Sequence, residues 1–198
     1  MKVIVIKYNA GNIHSVVHAL RRLGLEAQVT DNKETILAAD KVIFPGVGEA
    51  SSTMAYLKQH RLDELIVNLK QPVLGICIGL QLMCRHSEEG NVDCLGIFDT
   101  EVKRFTVQEP GYKIPQMGWN TIQHLQSPLF SPEMEKRYVY YVHSYYAECC
   151  AQTIATTEYM HPYSAALHRD NFYALQFHPE KSSELGEQIL SNFLNIER

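Results

Sequence analysis

Apolar residues fall in two rhythms along this chain, and the rhythm changes near its middle. In the first half, short continuous apolar runs alternate with helical spacing. Val3-Ile4-Val5-Ile6 is such a run, with the length and composition of a strand covered on both faces. Ile13, Val16, Val17, Leu20 and Leu23 follow at helical spacing, and Gly24 stands where a helix stop belongs. Residues 26–29 and 42–44 read as the next two strands, the latter closed by Pro45-Gly46. The spacing over residues 50–69 predicts two helices. Residues 72–76 predict a buried strand that runs into a helix over residues 78–86. Strand–helix alternation with continuous apolar strands predicts an α/β fold, a mostly parallel central sheet flanked by helices.

In the second half, from Gly96 to Phe177, the runs are short and aromatic or β-branched. Turn residues such as Glu109-Pro110-Gly111 and Ser127-Pro128 break them. Residues 138–146 and 172–177 read as strands of an antiparallel extension. A last amphipathic helix carries Leu185, Ile189, Leu190, Phe193 and Leu194. No repeat, low-complexity tract or linker divides the chain. Its 198 residues fit one domain over 1–198, since domains run to roughly 100–200 residues.

Composition narrows the partners. A charge of −4, from 18 basic and 22 acidic residues, leaves no footprint for nucleic acid or an anionic membrane. No apolar stretch reaches the roughly 18–20 residues of a membrane span, and the N-terminal run is too short for a signal peptide. The expected location is the cytoplasm. Five cysteines, Cys77, Cys84, Cys94, Cys149 and Cys150, match no zinc spacing, and in a reducing compartment they are expected as free thiols.

One of the five stands apart. Gly75-Ile76-Cys77-Ile78-Gly79-Leu80-Gln81 places Cys77 where a buried strand meets a helix, with a glycine two residues to either side. That is the arrangement of a nucleophile elbow, with sulfur in place of oxygen. The helix start favours thiolate, and the amide of Ile78 can donate to an oxyanion. A cysteine nucleophile needs a base oriented by a third group. Phe177-His178-Pro179-Glu180 supplies one. Pro179 favours an extended His178, and Glu180 at i+2 then faces the same way and can hold the imidazole. His143 in Val142-His143-Ser144-Tyr145 is the rival base. Pro45-Gly46-Val47-Gly48, after the third strand, can bring a second amide to the oxyanion. The chain has no GxxxxGK[ST] loop, so nucleotide chemistry of that type is unsupported.

With these three motifs in order, the chain resembles the class I, triad-type glutamine amidotransferases over essentially its whole length. Tyr8-Asn9-Ala10-Gly11-Asn12, Pro115-Gln116-Met117-Gly118-Trp119-Asn120 and His143-Ser144-Tyr145-Tyr146 are similar to the branch that supplies ammonia for imidazole glycerol phosphate synthesis. Lys7 stands where that branch often has Asp. The resemblance implies a glutaminase in which Cys77 attacks the glutamine carboxamide, His178 moves the proton and Glu180 orients His178. It implies Val47 and Ile78 as oxyanion donors, and Gly48, Gln81, Glu89, Ser144 and Tyr145 as glutamine-binding positions. It also implies a separate (β/α)8-barrel synthase as partner in a heterodimer, approached through Tyr8, Asn12 and Trp119. That partner would use the ammonia in histidine biosynthesis, making imidazole glycerol phosphate and an aminoimidazole carboxamide ribotide. No metal or cofactor is implied. Two other readings stay open on the residues: a class I glutaminase serving a different synthase, and a catalytically silent regulatory subunit.

Overall fold

The computed structural model describes residues 1–8, 13–107 and 111–197. The first half alternates as its apolar pattern predicts: β1 (Val3–Ile6), α1 (Ile13–Arg22), β2 (Gln28–Thr30), α2 (Lys33–Leu37), β3 (Lys41–Phe44), α3 (Ala50–Gln59), α4 (Leu62–Val67), β4 (Val73–Ile76) and α5 (Ile78–Met83). The short α2 is one further helix that the pattern does not announce. The second half holds β5 (His86–Ser87), β6 (Val92–Asp93), β7 (Glu101–Arg104), β8 (Gln116–Thr121), β9 (Tyr138–His143), β10 (Tyr145–Ala147), β11 (Thr153–Tyr159), β12 (His161–Arg169), β13 (Phe172–Leu175) and α6 (Ser183–Leu194).

The central sheet runs β11-β12-β13-β4-β3-β1-β2. Strands β2, β1, β3, β4 and β13 are mutually parallel, while β12 and β11 are antiparallel additions at one edge. Alternation along each strand divides the core between the two faces. Val3 and Val5 pack with Val16, Leu20, Ile189 and Phe193, on the side of α1 and α6. Ile4 and Ile6 pack with Ile36, Met54, Leu57 and Ile66, on the side of α2, α3 and α4. Both faces need apolar side chains, which is why the strands read as unbroken apolar runs.

Three expectations change. Residues 172–177, expected in the antiparallel extension, hold β13, which is antiparallel to β12 but pairs in parallel with β4 and so belongs to the central parallel set. The helix after Cys77 ends at Met83, not His86. Cys84 turns to extended backbone, and His86 and Ser87 then pair in parallel with Glu101 and Val102 of β7. Sheet pairing competes here with a further turn of helix, and the sheet wins. Residues 138–146, expected as one strand of the antiparallel extension, are two. The run breaks at Ser144: β9 forms a two-stranded ribbon with β8, and β10 joins the small sheet β10-β7-β5-β6. Among the described residues no helix is long and apolar enough to cross a membrane.

Candidate active site

Parallel strands bring their carboxyl ends to one edge, and the site lies there. Phe44 pairs with Gly75, and Ile76 with Leu175. The chain therefore leaves β3 at Pro45, β4 at Cys77 and β13 at Gln176 side by side. The amide of Cys77 donates to the carbonyl of Leu175 at 2.7 Å, which closes this level of the sheet.

Cys77 has φ 54° and ψ −105°, a conformation that costs an L-residue on the order of 1–3 kcal/mol and persists where neighbours enforce it. The enforcement is steric. A Cβ at Gly79 would lie 2.1 Å from the carbonyl oxygen of Phe44, so the helix can press onto β3 only with glycine there. The sulfur is thereby turned into a cavity of about 290 Å³. Val47, Gly48, Ile78, Gln81, Glu89, Ser144 and Tyr145 all line it, together with His143, Val142 and Pro115. Every residue expected to bind substrate or oxyanion thus meets Cys77 in one cavity.

His178 and Glu180 stand behind the sulfur. Nδ1 of His178 lies 2.8 Å from Oε1 of Glu180, with both side chains 1 % exposed. The His178 backbone is pinned at both ends: its amide donates to the carbonyl of Tyr140 at 2.9 Å, and its carbonyl accepts from Ser182 Oγ at 2.6 Å. Ser182 Oγ also accepts from the amide of Tyr140, so ribbon and base are tied together. Burial opposes a charge on His178. The neighbouring Cys77 and Glu180 outweigh it and push the imidazole up to about 10. His143 goes the other way. Burial, assisted by the charge of His178, holds it down to about 4 against a bond to the carbonyl of Tyr145. That bond, Nδ1 to Tyr145 O at 2.7 Å, marks Nδ1 as the protonated nitrogen, so Nε2 is the acceptor facing the Tyr163 hydroxyl at 3.3 Å.

Glu89 reaches the cavity from the small sheet and accepts from the amide of Ala50 at 3.0 Å. Burial raises its carboxyl above the ordinary range, and Glu49 adds to this. Glu49 caps α3: the amides of Ser51 and Ser52 outweigh its burial and pull it down to about 2. Gln81 lines the cavity, but its side-chain nitrogen is committed to protein, at 2.9 Å to Tyr145 O and 3.1 Å to Gln176 Oε1.

One predicted interface residue is misplaced. Tyr8, expected at an exposed partner surface, is only 5 % exposed. Its ring packs on Phe44 and its hydroxyl donates to the carbonyl of Pro45. A Cβ at Gly46 would fall 1.9 Å from that hydroxyl oxygen. Tyr8 is a strut behind residues 45–48, drawn inward because a buried carbonyl needs a donor. Asn12, also expected there, lies outside the described residues. Trp119 is 53 % exposed, on the outer face of the β8–β9 ribbon beside Met117 and Tyr138. The sequence reading overlooked Gln176 and Ser182. The available signal was a glutamine inside an apolar run and a serine just past the His-Pro-Glu motif. Among the described residues no group of three or more His, Cys, Asp or Glu is placed to hold a metal ion.

Residues 4–196 match the family glutamine amidotransferase class-I. The imidazole glycerol phosphate synthase subunit HisH of Bacteroides thetaiotaomicron is 63 % identical over 196 residues, covering 99 % of this chain and 100 % of its own. The HisH subunit of Yersinia pestis is 41 % identical over 198 residues, covering 99 % and 100 %. Among solved structures, one glutamine amidotransferase superposes with a TM-score of 0.73 at 16 % identity, covering 96 % of this chain and 96 % of that one. Another glutamine amidotransferase, from Thermotoga maritima, superposes with a TM-score of 0.66 at 17 % identity, covering 98 % and 83 %. At that identity the likeness is one of fold.

Proposed function

We propose that this chain, which belongs to the class-I glutamine amidotransferase family, is the glutaminase subunit of an imidazole glycerol phosphate synthase and works through Cys77, His178 and Glu180. One observation carries the reading: a cysteine held at positive φ on a strand–helix turn, opening into a cavity, with a buried His–Glu pair behind it.

The chemistry follows from the placement. His178 takes the thiol proton, and the sulfur attacks the carboxamide carbon of glutamine. A C–S bond forms while the carbonyl π pair moves to oxygen. The amide of Ile78, free at the start of α5, and that of Val47 receive the oxyanion; one such donor contributes about 10²–10³ in rate. Collapse breaks the C–N bond, and His178 returns its proton to the departing ammonia. Water then cleaves the thioester to glutamate and restores the thiol. Glu180 keeps the imidazole aimed and offsets its charge. Glu89 offers a carboxylate to the substrate ammonium. Gly48, Gln81, Ser144 and Tyr145 shape the rest of the glutamine site.

Ammonia released into water would be protonated and lost to synthesis. Enclosure by a second protein, a (β/α)8-barrel synthase, answers that need. The exposed Trp119 and Met117 suit such a contact, since aromatics and methionine are enriched at interfaces. The reading is tested with the chain bound to its co-expressed barrel subunit. Cys77→Ala should abolish glutamine-dependent product formation and spare the reaction driven by added ammonium salt. Glutamine turnover retained by Cys77→Ala overturns it.

A further inference from the structure

The Cys77 sulfur has a second polar neighbour. Gln176 follows β13 and is fully buried. Its Nε2 lies 3.8 Å from Cys77 Sγ, within the longer reach of sulfur. Nitrogen and oxygen of a side-chain amide are told apart by their partners, and here the partners leave one arrangement. The carbonyl of Tyr145 can only accept, so the Gln81 atom 2.9 Å from it is nitrogen. The same nitrogen sits 3.1 Å from the Gln176 amide and must meet an oxygen there. Nε2 of Gln176 is therefore turned to the sulfur. A backbone carbonyl orients Gln81, Gln81 orients Gln176, and Gln176 presents N–H to Cys77.

We propose that Gln176 is a further catalytic residue, whose buried side-chain amide stabilises the Cys77 thiolate by donating a hydrogen bond to it. This rests on Cys77 being the nucleophile. The carbonyl of Val142 stands 4.0 Å from the sulfur as an acceptor for the protonated thiol. Gln176 is the donor for the deprotonated form. A thiol that gives its proton to His178 inside a low-dielectric site leaves a thiolate that needs such a donor, because hydrogen bonds to a charged group are the strong ones. The other titratable groups facing the sulfur do different work: His178, oriented by Glu180, carries the proton, the Tyr8 hydroxyl is spent on Pro45, His143 stays neutral, and Glu89 faces the cavity from the small sheet.

The test reads the pH dependence of iodoacetamide alkylation at each thiol of the full-length chain. Gln176→Met removes the donor at similar volume. Gln176→Glu keeps the oxygen that Gln81 needs and removes the amide nitrogen. Both should slow Cys77 alkylation at pH 7 by roughly tenfold, the worth of one charge-assisted hydrogen bond, and move its profile to higher pH. The fully buried Cys84 in the same samples should stay unreactive, which a general loosening of the fold would not allow. An unmoved Cys77 profile in either variant overturns the proposal. Should both variants misfold, the side-chain amide resonances of Gln176 in the ¹⁵N-labelled chain decide. They should shift as the thiol titrates and lose that shift in Cys77→Ala; identical titrations in the two overturn the proposal. Failure of the parent reading looks different: Cys77→Ala would then keep glutamine turnover.

Discussion

Two histidines flank one sulfur from two parts of the molecule, and the fold drives them apart in charge. His178 comes off the central sheet after β13, and His143 ends β9 of the ribbon. Both are buried, at 1 % and 6 % exposure, and burial alone would lower both. His178 is nevertheless pushed up to about 10 and His143 down to about 4. The partners decide the sign. Glu180 and the sulfur offer negative charge, whereas Tyr145 and Tyr163 offer a carbonyl and a neutral hydroxyl. Sequence spacing to Cys77 does not separate the two; what each ring touches does. The central-sheet histidine is equipped to carry a proton. The ribbon histidine is equipped to stay neutral and hold the Tyr145 strand in place.

The sharpest break of that comparison is exchange of the two bases. His178→Asn should lower glutamine turnover in the complex by about 10²–10⁴, the usual worth of a positioned acid–base group. His143→Gln should lower it by an order of magnitude or less. Ammonia release measured for both variants checks this, and equal losses would erase the division of labour.

Stability should separate them with opposite signs. The stabilisation from His178 is fully present below the unfolded value near 6.5 and is lost as pH rises through about 10. His143 has a depressed value, so its contribution stands above about 6.5 and is lost as pH falls through about 4. Urea unfolding from pH 7 down to pH 4 should show wild-type stability falling with a component of up to about 1.4 kcal/mol per pH unit from this group. His143→Gln should flatten that component. A slope unchanged by the substitution would remove His143 as its source.

The smallest expected effect concerns the outer face of the same ribbon. Trp119 pairs across strands with Tyr140 and meets it edge-on at 5.9 Å. Trp119→Ala should weaken binding of the barrel subunit by about 2 kcal/mol, near thirtyfold in Kd, and leave Cys77 alkylation in the free chain unchanged. Calorimetric titration with the barrel subunit measures the first and peptide mapping the second. Normal affinity would place the docking surface elsewhere.

Much of the site was legible because its signals are local. Cys77 is marked by the strand–helix switch and by glycines at ±2. His178 and Glu180 are marked by their i, i+2 spacing, although the chain turns into a short 3-10 helix over Pro179–Lys181 instead of staying extended as expected. The parallel half of the fold was legible for a similar reason: a strand covered on both faces has to be apolar throughout. The ribbon was not. Residues 138–146 alternate like any strand, and nothing within them says which neighbour they pair with or that Ser144 interrupts them. The length of α5 was hidden too, since its end depends on pairing between β5 and β7.

By itself the sequence determined where a nucleophile, a base and its orienting acid could stand, because each depends on backbone conformation within a few residues. Tertiary structure alone decided what surrounds the sulfur. Gln176 meets Gln81 across 95 residues of chain, and the Tyr8 hydroxyl meets the Pro45 carbonyl across 37. Both contacts exist because β1, β3, β4 and β13 end at one level. A side chain at such an end faces solvent or a neighbouring strand according to register, and register is set by the packing of the whole sheet. The charge of a buried histidine is likewise a property of its neighbours, and those neighbours are chosen by the fold.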